Sequence, residues 1–126
     1  MLYIWYFVAE LREQLKSKDL QKQRIMEAFK KTSQVFREVT YALTGYQIDG
    51  LANANQFRLT PTYAESGNDY LLFQRDESGE MHLLATPFSD QLTDLMDLHL
   101  RQQNSIPVFL AALLMDLFSR YKTIQT

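Results

Sequence analysis

The stretch Leu43-Thr44-Gly45-Tyr46-Gln47-Ile48-Asp49 divides the chain into two parts of different character. Before it, apolar residues recur in steps of three and four with no glycine or proline between them, which predicts one long helix. Gly45 follows the last position of that pattern, where a glycine can adopt the left-handed conformation that satisfies the final helical carbonyls. The helix is therefore expected to end here, and a separate fold to begin.

The helical pattern is typical of a coiled coil. Nine of the twelve positions on the repeat from Ile4 to Leu43 are apolar, so a parallel homodimer is the simplest arrangement. Lys18 and Lys22 also fall on the repeat, where either the two helices splay or the register shifts through Leu20. The predicted dimer seam contains Leu11, Leu15, Ile25, Phe29, Phe36, Val39 and Leu43.

The second part predicts an antiparallel meander followed by two helices. Strand character marks residues 46–48, 57–63, 69–75 and 81–86, with turn signals at 66–68 and 76–79. Residues 88–103 predict a helix that starts at Ser89. Residues 108–121 predict a final apolar helix, with Ser105 as N-cap and Pro107 in the first turn. The predicted class is α+β, with a dimerising coiled-coil helix at 1–45, a head at 46–122 and a tail at 123–126.

Composition argues against several classes of protein. The chain of 126 residues has no cysteine, so it has no disulfide framework, thiol nucleophile or cysteine-ligated zinc. The apolar opening, residues 2–8, is too short to span a bilayer, which takes about 20 apolar residues. We interpret it as the end of a coiled-coil helix at which a longer chain was truncated, and expect no membrane insertion.

Catalytic and metal-binding patterns are also missing from the sequence. His82 and His99 are the two histidines, and they do not stand at a metal-binding spacing. Asp90, Asp94 and Asp97 share one face of the predicted helix. A cation cage would need further oxygen ligands from elsewhere in the chain, so a solvated face is expected. We therefore expect a protein that is not an enzyme and has no catalytic residues, metal or cofactor.

The charge is unevenly distributed. Residues 1–45 contain eight of the thirteen Lys and Arg against five acidic residues, whereas the remainder contains five basic and ten acidic residues. A basic helix suits an acidic or phosphorylated partner, with solvated coiled-coil flanks as the equally weighted alternative. Because the sheet region is acidic, its aromatic residues are expected to form a core and not to stack on nucleic acid.

Three motifs carry a resemblance to a known family. The stretch 43–49, the string Leu100-Arg101-Gln102-Gln103-Asn104-Ser105-Ile106-Pro107 and Phe118-Ser119-Arg120 are ordered and spaced as in the C-terminal domain of the spindle-assembly-checkpoint family "mitotic arrest deficient one" (Mad-one). The resemblance covers roughly residues 20–120. It implies a homodimeric docking domain with an RWD-like head, a small meander backed by helices. It also implies location in the nucleus at kinetochores, with the nuclear envelope as a further location.

The same resemblance implies a partner and a site. Family members dock a phosphorylated segment of the checkpoint kinase Bub-one through an Arg-Leu-Lys motif, and this chain reads Arg24-Ile25-Met26, with methionine in place of the lysine. Arg37 and Tyr41, four residues apart, extend that docking site or form a plain surface pair. The checkpoint activator and Mad-two are the implied partners in the wider assembly. The competing interpretation is a structural RWD-type kinetochore or ubiquitin-pathway scaffold that dimerises without recognising phosphate.

Overall fold

The computed structural model describes residues 2–52 and 55–125, and the side chains of these residues up to 123. The described residues fall into two compact units, one up to Phe36 and one from Arg37 onward. The chain has the predicted α+β character. Its elements are α1 (Leu2–Thr44), β1 (Tyr46–Gly50), β2 (Gln56–Pro61), β3 (Leu71–Arg75), β4 (Met81–Leu84), a 3₁₀ turn (Ser89–Gln91), α2 (Thr93–Leu95), a π-helix (Met96–Gln102) and α3 (Ile106–Gln125). The division into coiled coil, head and tail stays a prediction, and its ends at residues 1 and 126 lie outside the described residues.

Helix α1 ends at the predicted glycine. Gly45 has a φ of +78°, and its N–H donates to the carbonyl of Tyr41 at 2.9 Å. A Cβ at this position would lie 2.6 Å from the Leu114 Cδ2 atom, closer than two carbon atoms approach. The residue is therefore a glycine for two reasons, the left-handed backbone and the contact with α3.

The four strands form one antiparallel sheet in the order β1-β2-β3-β4, which confirms the predicted meander. Strand β2 ends at Pro61, two residues before the predicted end, and proline has no N–H for further pairing. The turn at 66–68 is closed by the N–H of Asp69 on the carbonyl of Ser66 at 3.0 Å. The turn at 76–79 is closed by the N–H of Gly79 on the carbonyl of Asp76 at 3.0 Å. Both turn signals are confirmed.

The helix predicted over residues 88–103 is confirmed in part, because most of the segment is helical but it is not one continuous α-helix. The segment changes from a 3₁₀ turn to a single α turn and then to a π-helix. Its start is fixed by a reciprocal pair, in which the Ser89 N–H donates to Thr86 Oγ1 at 3.0 Å and the Thr86 N–H donates to Ser89 Oγ at 2.8 Å. The wider π turn ends with the N–H of Gln103 on the carbonyl of Leu98 at 3.1 Å. Phe88 and Leu92 of this segment still belong to the core, and Leu95, Met96 and Leu100 pack against it.

The core lies between one face of the sheet and the helices that follow it. Helix α3 contributes residues at every fourth position, which places them on one face. The phenol of Tyr46 is buried and donates to the carbonyl of Leu110, and burial raises the pKa of Tyr46 well above its usual value of 10. The buried apolar residues are Tyr46, Leu59, Leu71, Phe73, Phe88, Leu92, Phe109, Leu113 and Leu117.

Helix α3 begins as the sequence predicts, with Pro107 as its second residue. The N–H of Val108 donates to Ser105 Oγ at 3.3 Å, which is the N-cap hydrogen bond.

We expect Ser105→Ala to lower the free energy of unfolding by about 1 kcal/mol, because one helical N–H loses its acceptor. Urea unfolding measures the effect. Ser105→Asn is the control, since its side chain can accept the same bond, and equal stability of parent and alanine variant would contradict the cap.

Candidate partner-binding surface

Helix α1 exposes its apolar face to solvent. None of its residues is buried in the single chain. Contiguous apolar surface of this kind is rare on proteins that act as monomers and marks a contact surface. The seven predicted seam residues are each between 42% and 81% exposed; they are Leu11, Leu15, Ile25, Phe29, Phe36, Val39 and Leu43.

The three residues of the predicted docking motif, Arg24, Ile25 and Met26, lie together on this helix. Ile25 is 68% exposed and Met26 is 52% exposed. Successive residues of a helix are about 100° apart, so Arg24 and Met26 flank Ile25 on opposite sides. Within the described part of the chain no acidic side chain forms an ion pair with Arg24, and its guanidinium is open to solvent. The motif therefore combines an accessible cation with an apolar seam position.

Arg37 does not stand alone, because the structure brings it to the sheet. Its Nη2 lies 2.9 Å from Asp49 Oδ1, and Arg58 Nη2 lies 3.9 Å from Asp49 Oδ2. Gln47 Nε2 donates to Asp49 Oδ2 at 3.0 Å, and the guanidinium of Arg58 stands 5.7 Å above the ring of Tyr70. Two guanidinium groups thus converge on one carboxylate, and both keep an exposed edge.

Tyr41 also has a partner within the chain. Its hydroxyl lies 2.7 Å from Thr62 Oγ1, so a hydrogen bond joins α1 to the residue that follows β2. Arg37 and Tyr41 therefore fix the end of α1 on the β1–β2 hairpin. About two fifths of the Arg37 side chain and of Tyr41 remains exposed. Their part in partner binding stays a prediction.

The sequence did not point to Asp49 and Arg58. They meet because Asp49 lies directly opposite Arg58 in the β1–β2 register, and a register cannot be read from residue types. The alternation of charged and apolar residues in each strand was the available signal. It predicts which face each side chain takes but not its neighbour on the next strand.

One acidic cluster lies at the turn between β3 and β4. Ligand atoms of Asp76, Glu80 and His82 come within 4.8 Å of one another at exposed positions. The Asp76 carboxylate accepts the N–H and hydroxyl of Ser78, the N–H of Glu80 and a hydrogen bond with His82. These bonds close the turn, and the expectation that the chain binds no metal stays a prediction.

The aspartates of the irregular helical segment take a different arrangement. Asp97 Oδ1 lies 2.6 Å from Arg101 Nη1, and His99 Nδ1 lies 2.7 Å from Gln103 Oε1. Each contact spans four residues of the same segment. His99 and Asp97 are thus engaged locally, and the expectation that neither histidine binds a metal stays a prediction.

The pKa of Asp76 gives a test of the turn. The hydrogen bonds from Ser78, and next that with His82, hold the pKa of Asp76 far below its usual value of 3.8. The charged form is thus favoured by folding, so its stabilisation is complete above pH 3.8 and is lost as the pH falls through the lower folded pKa. We expect Asp76→Asn to lower the thermal midpoint at neutral pH and to match the parent in strong acid. A difference that stays constant between about pH 7 and about pH 2 would show that this carboxylate does not stabilise the turn.

The contact of α1 with the sheet gives a second test. We expect Asp49→Ala to lower the free energy of unfolding by about 1 to 2 kcal/mol, because Arg37 loses its partner and Gln47 its acceptor. The matched control is Asp116→Ala, whose carboxylate pairs with Arg120 across one helical turn at 2.8 Å. That exposed pair should contribute less than about 0.5 kcal/mol. Denaturant titrations of both variants compare them, and equal losses would contradict the special position of Asp49.

The fold and this surface define a class of protein: a small α+β domain that presents a long, exposed apolar helix for contact with other proteins. Among the described residues, no helix is long and apolar enough to cross a membrane.

The chain belongs to the mitotic checkpoint protein family, whose model, "MAD: Mitotic checkpoint protein", matches residues 7–122. It is similar to the human "Mitotic spindle assembly checkpoint protein MAD1", with 47% identity over 115 residues. It is also similar to the "Spindle assembly checkpoint component MAD1" of Yarrowia lipolytica, with 35% identity over 113 residues, and to "Spindle assembly checkpoint component mad1" of Schizosaccharomyces pombe, with 30% identity over 111. The matches cover 90%, 87% and 88% of this chain.

These similarities confirm the family that the sequence motifs indicate. The names of the relatives share one role, in the spindle assembly checkpoint of mitosis, and none of them describes an enzyme. The chain spans 16% of the length of each of these relatives. What it binds and where it acts are therefore treated as proposals.

Proposed function

We propose that this chain is a homodimeric adaptor domain of the spindle assembly checkpoint that docks a phosphorylated segment of the kinase Bub-one and does no catalysis itself. The exposed apolar face of α1 carries this proposal. Family membership supports the checkpoint role, and the accessible Arg24 supports recognition of phosphate.

Dimerisation follows from the cost of leaving that face in water. Phe29 and Phe36 are 68% and 67% exposed in one chain, and burying an aromatic side chain contributes about 1.5 to 3 kcal/mol. A second copy of α1 in parallel covers the same positions symmetrically, since each seam residue meets its own counterpart. The apolar repeat of α1 is therefore sufficient for a homodimer, and no other helix or strand is needed to cover the seam.

Recognition of phosphate follows from the chemistry of Arg24. A guanidinium is planar and always charged, and it can grip two phosphate oxygens through parallel N–H bonds. Ile25 beside it offers the apolar contact that a bound segment needs for orientation. Met26 supplies no charge where the family motif has lysine, so we propose that the grip depends on Arg24 more heavily than in relatives with the full motif.

In this proposal the domain acts at kinetochores in the nucleus, where the kinase segment recruits it. By family resemblance it also supports assembly of the checkpoint complex with the activator and Mad-two. The alternative is a dimeric scaffold of RWD type that does not recognise phosphate. One observation favours it, namely that Met26 replaces the lysine of the family motif. Binding measurements with phosphorylated and unphosphorylated peptide separate the two functions.

The homodimer is tested first. Light scattering should give twice the 14.8 kDa of one chain, because two copies of α1 cover each other's seam. Phe36→Ala should weaken the dimer by roughly 3 to 5 kcal/mol, as large-to-small changes in cores do. Lys16→Ala, off the seam, is the control. A measured mass of 14.8 kDa for the parent at a protein concentration on the order of tens of micromolar would overturn the dimer.

Phosphate recognition is tested by calorimetric titration with the Bub-one segment in both phosphorylation states. Arg24→Ala should abolish the preference for the phosphorylated peptide, a loss of about 1.5 to 3 kcal/mol, because the charge-assisted grip is removed. Met26→Lys should strengthen binding by adding a cation, and added salt should reduce that gain because exposed charges are screened.

The control for this test is again Lys16→Ala, since it removes one positive charge from the same helix outside the motif. It should change the affinity little. Equal affinity of the parent for both peptides would leave the scaffold function standing in place of the adaptor, whatever the state of the dimer.

A further inference from the structure

The apolar segment at the start of α1 is exposed along its whole length. We name residues 2–7 the aromatic segment; its side chains are between 62% and 89% exposed, and they are Leu2, Tyr3, Ile4, Trp5, Tyr6 and Phe7. The first charged residue that follows is Glu10. Residues 2–6 lie outside the match to the family model, which begins at residue 7. A helix that is apolar on all sides is normally buried, either in a protein core or in lipid.

A second copy of α1 covers only part of the aromatic segment. Successive residues of a helix are about 100° apart, so six in a row point to every side. On the predicted seam repeat, Ile4 is the member of the segment that lies on the seam. Leu2, Tyr3 and Tyr6 lie on the side away from it and are 87%, 89% and 75% exposed. A parallel dimer therefore leaves most of the segment in water, and its occupant must surround the helix.

The residue types of the aromatic segment are those of a membrane–water interface. Trp and Tyr are enriched there, because each ring enters the apolar layer while its N–H or O–H stays hydrogen-bonded at the headgroups. The segment combines Trp5 and two tyrosines with three purely apolar side chains. Its length, about 1.5 Å per residue or about 9 Å, agrees with the depth of about 5 to 10 Å at which interfacial helices bind. A span would need about 30 Å.

The charge that follows the aromatic segment also suits a lipid surface. Residues 9–24 contain five basic and three acidic side chains. Lys and Arg next to a bilayer are attracted to anionic headgroups. The basic surplus is small, so burial of the rings supplies most of the binding and anionic lipid adds to it.

We propose that the aromatic segment docks on the surface of a phospholipid bilayer, with its rings in the headgroup layer and the basic part of α1 beside the headgroups. The sequence-based expectation of no membrane insertion followed from the length of a span, and an interfacial contact needs no span. This inference goes beyond the proposed function. It does not depend on the homodimer, because one copy of α1 presents the same rings.

Trp5 is the one tryptophan of the chain, so its fluorescence reports directly on the aromatic segment. The test titrates the full chain with phosphatidylcholine vesicles, with and without phosphatidylserine. The Trp5 emission should shift to shorter wavelength, and brominated phosphatidylcholine should quench it, because the indole leaves water. Phosphatidylserine should raise the partition coefficient about threefold or more at low salt, and added salt should remove this gain.

Two variants locate the contact. Tyr6→Ser should lower the partition coefficient on phosphatidylcholine about fivefold, because one ring is lost from the interface. Tyr3→Ser should do the same, and neither change touches the predicted dimer seam. The matched control is Leu20→Ser, which removes a 50% exposed apolar side chain at the same position of the repeat two heptads after Tyr6. It should leave the coefficient within about twofold. Circular dichroism verifies that each variant is helical.

Three results would overturn the lipid contact. The first is a Trp5 emission that neither kind of vesicle changes. The second is equal partitioning of Tyr6→Ser and Leu20→Ser. The third is an emission that shifts with protein concentration in the absence of lipid, which would show that further copies of the chain cover the segment. None of these results bears on phosphopeptide affinity or on the effect of Phe36→Ala, so the proposed function stands or falls separately.

Discussion

The close approach of Gly45 to Leu114 is the constraint on which the arrangement of the head depends. Gly45 ends α1 in a left-handed conformation, and its carbonyl accepts the N–H of Thr62 at 2.8 Å. Leu114 of α3 occupies the space that a Cβ would fill. Three elements thus meet at one residue without a side chain, and any larger residue would push them apart.

Two polar contacts complete this junction. The Arg37–Asp49 ion pair and the Tyr41–Thr62 hydrogen bond hold the last two turns of α1 on the first strands. These two contacts lie on the surface, so each contributes only modestly to the free energy of folding. They add to an arrangement of α1 and the sheet that already depends on Gly45. The residues first proposed to bind a partner, Arg37 and Tyr41, therefore also hold the C-terminal end of α1 against the β1–β2 hairpin. A partner that grips Arg37 must share it with Asp49.

The two parts of the chain differ in how much of their apolar surface they cover. The head buries a core of its own, with Phe73, Phe109, Leu71 and Leu113 almost completely covered. No residue of helix α1 is fully buried within the chain. Apolar residues at helical spacing are costly to expose, and this cost is the basis for the proposal that α1 is a contact surface. The names of the relatives place those proteins in the spindle assembly checkpoint, and the adaptor function of this chain stays a proposal.

The sequence determined the elements whose signals are local. Heptad spacing predicted α1, Gly45 its end, the turn residues the meander, and Ser105 with Pro107 the start of α3, because each depends on neighbours within a few positions. The motifs also pointed to the family. Arg24, Ile25 and Met26 could be proposed as a site because they resemble a continuous motif of that family.

Other features were decided by the tertiary structure alone. The meeting of Arg37, Asp49 and Arg58 required the strand register and the placement of α1, and neither is encoded by residue type. The segment 88–103 combines a 3₁₀ turn, a single α turn and a π-helix, three kinds of turn that the apolar periodicity of the sequence does not distinguish. An apolar groove of about 430 Å³ joins residues from β1, β2 and α3 that are distant in sequence, among them Ile48, Leu59 and Met115. Local patterns specify which elements form, whereas contacts between distant residues depend on how those elements pack.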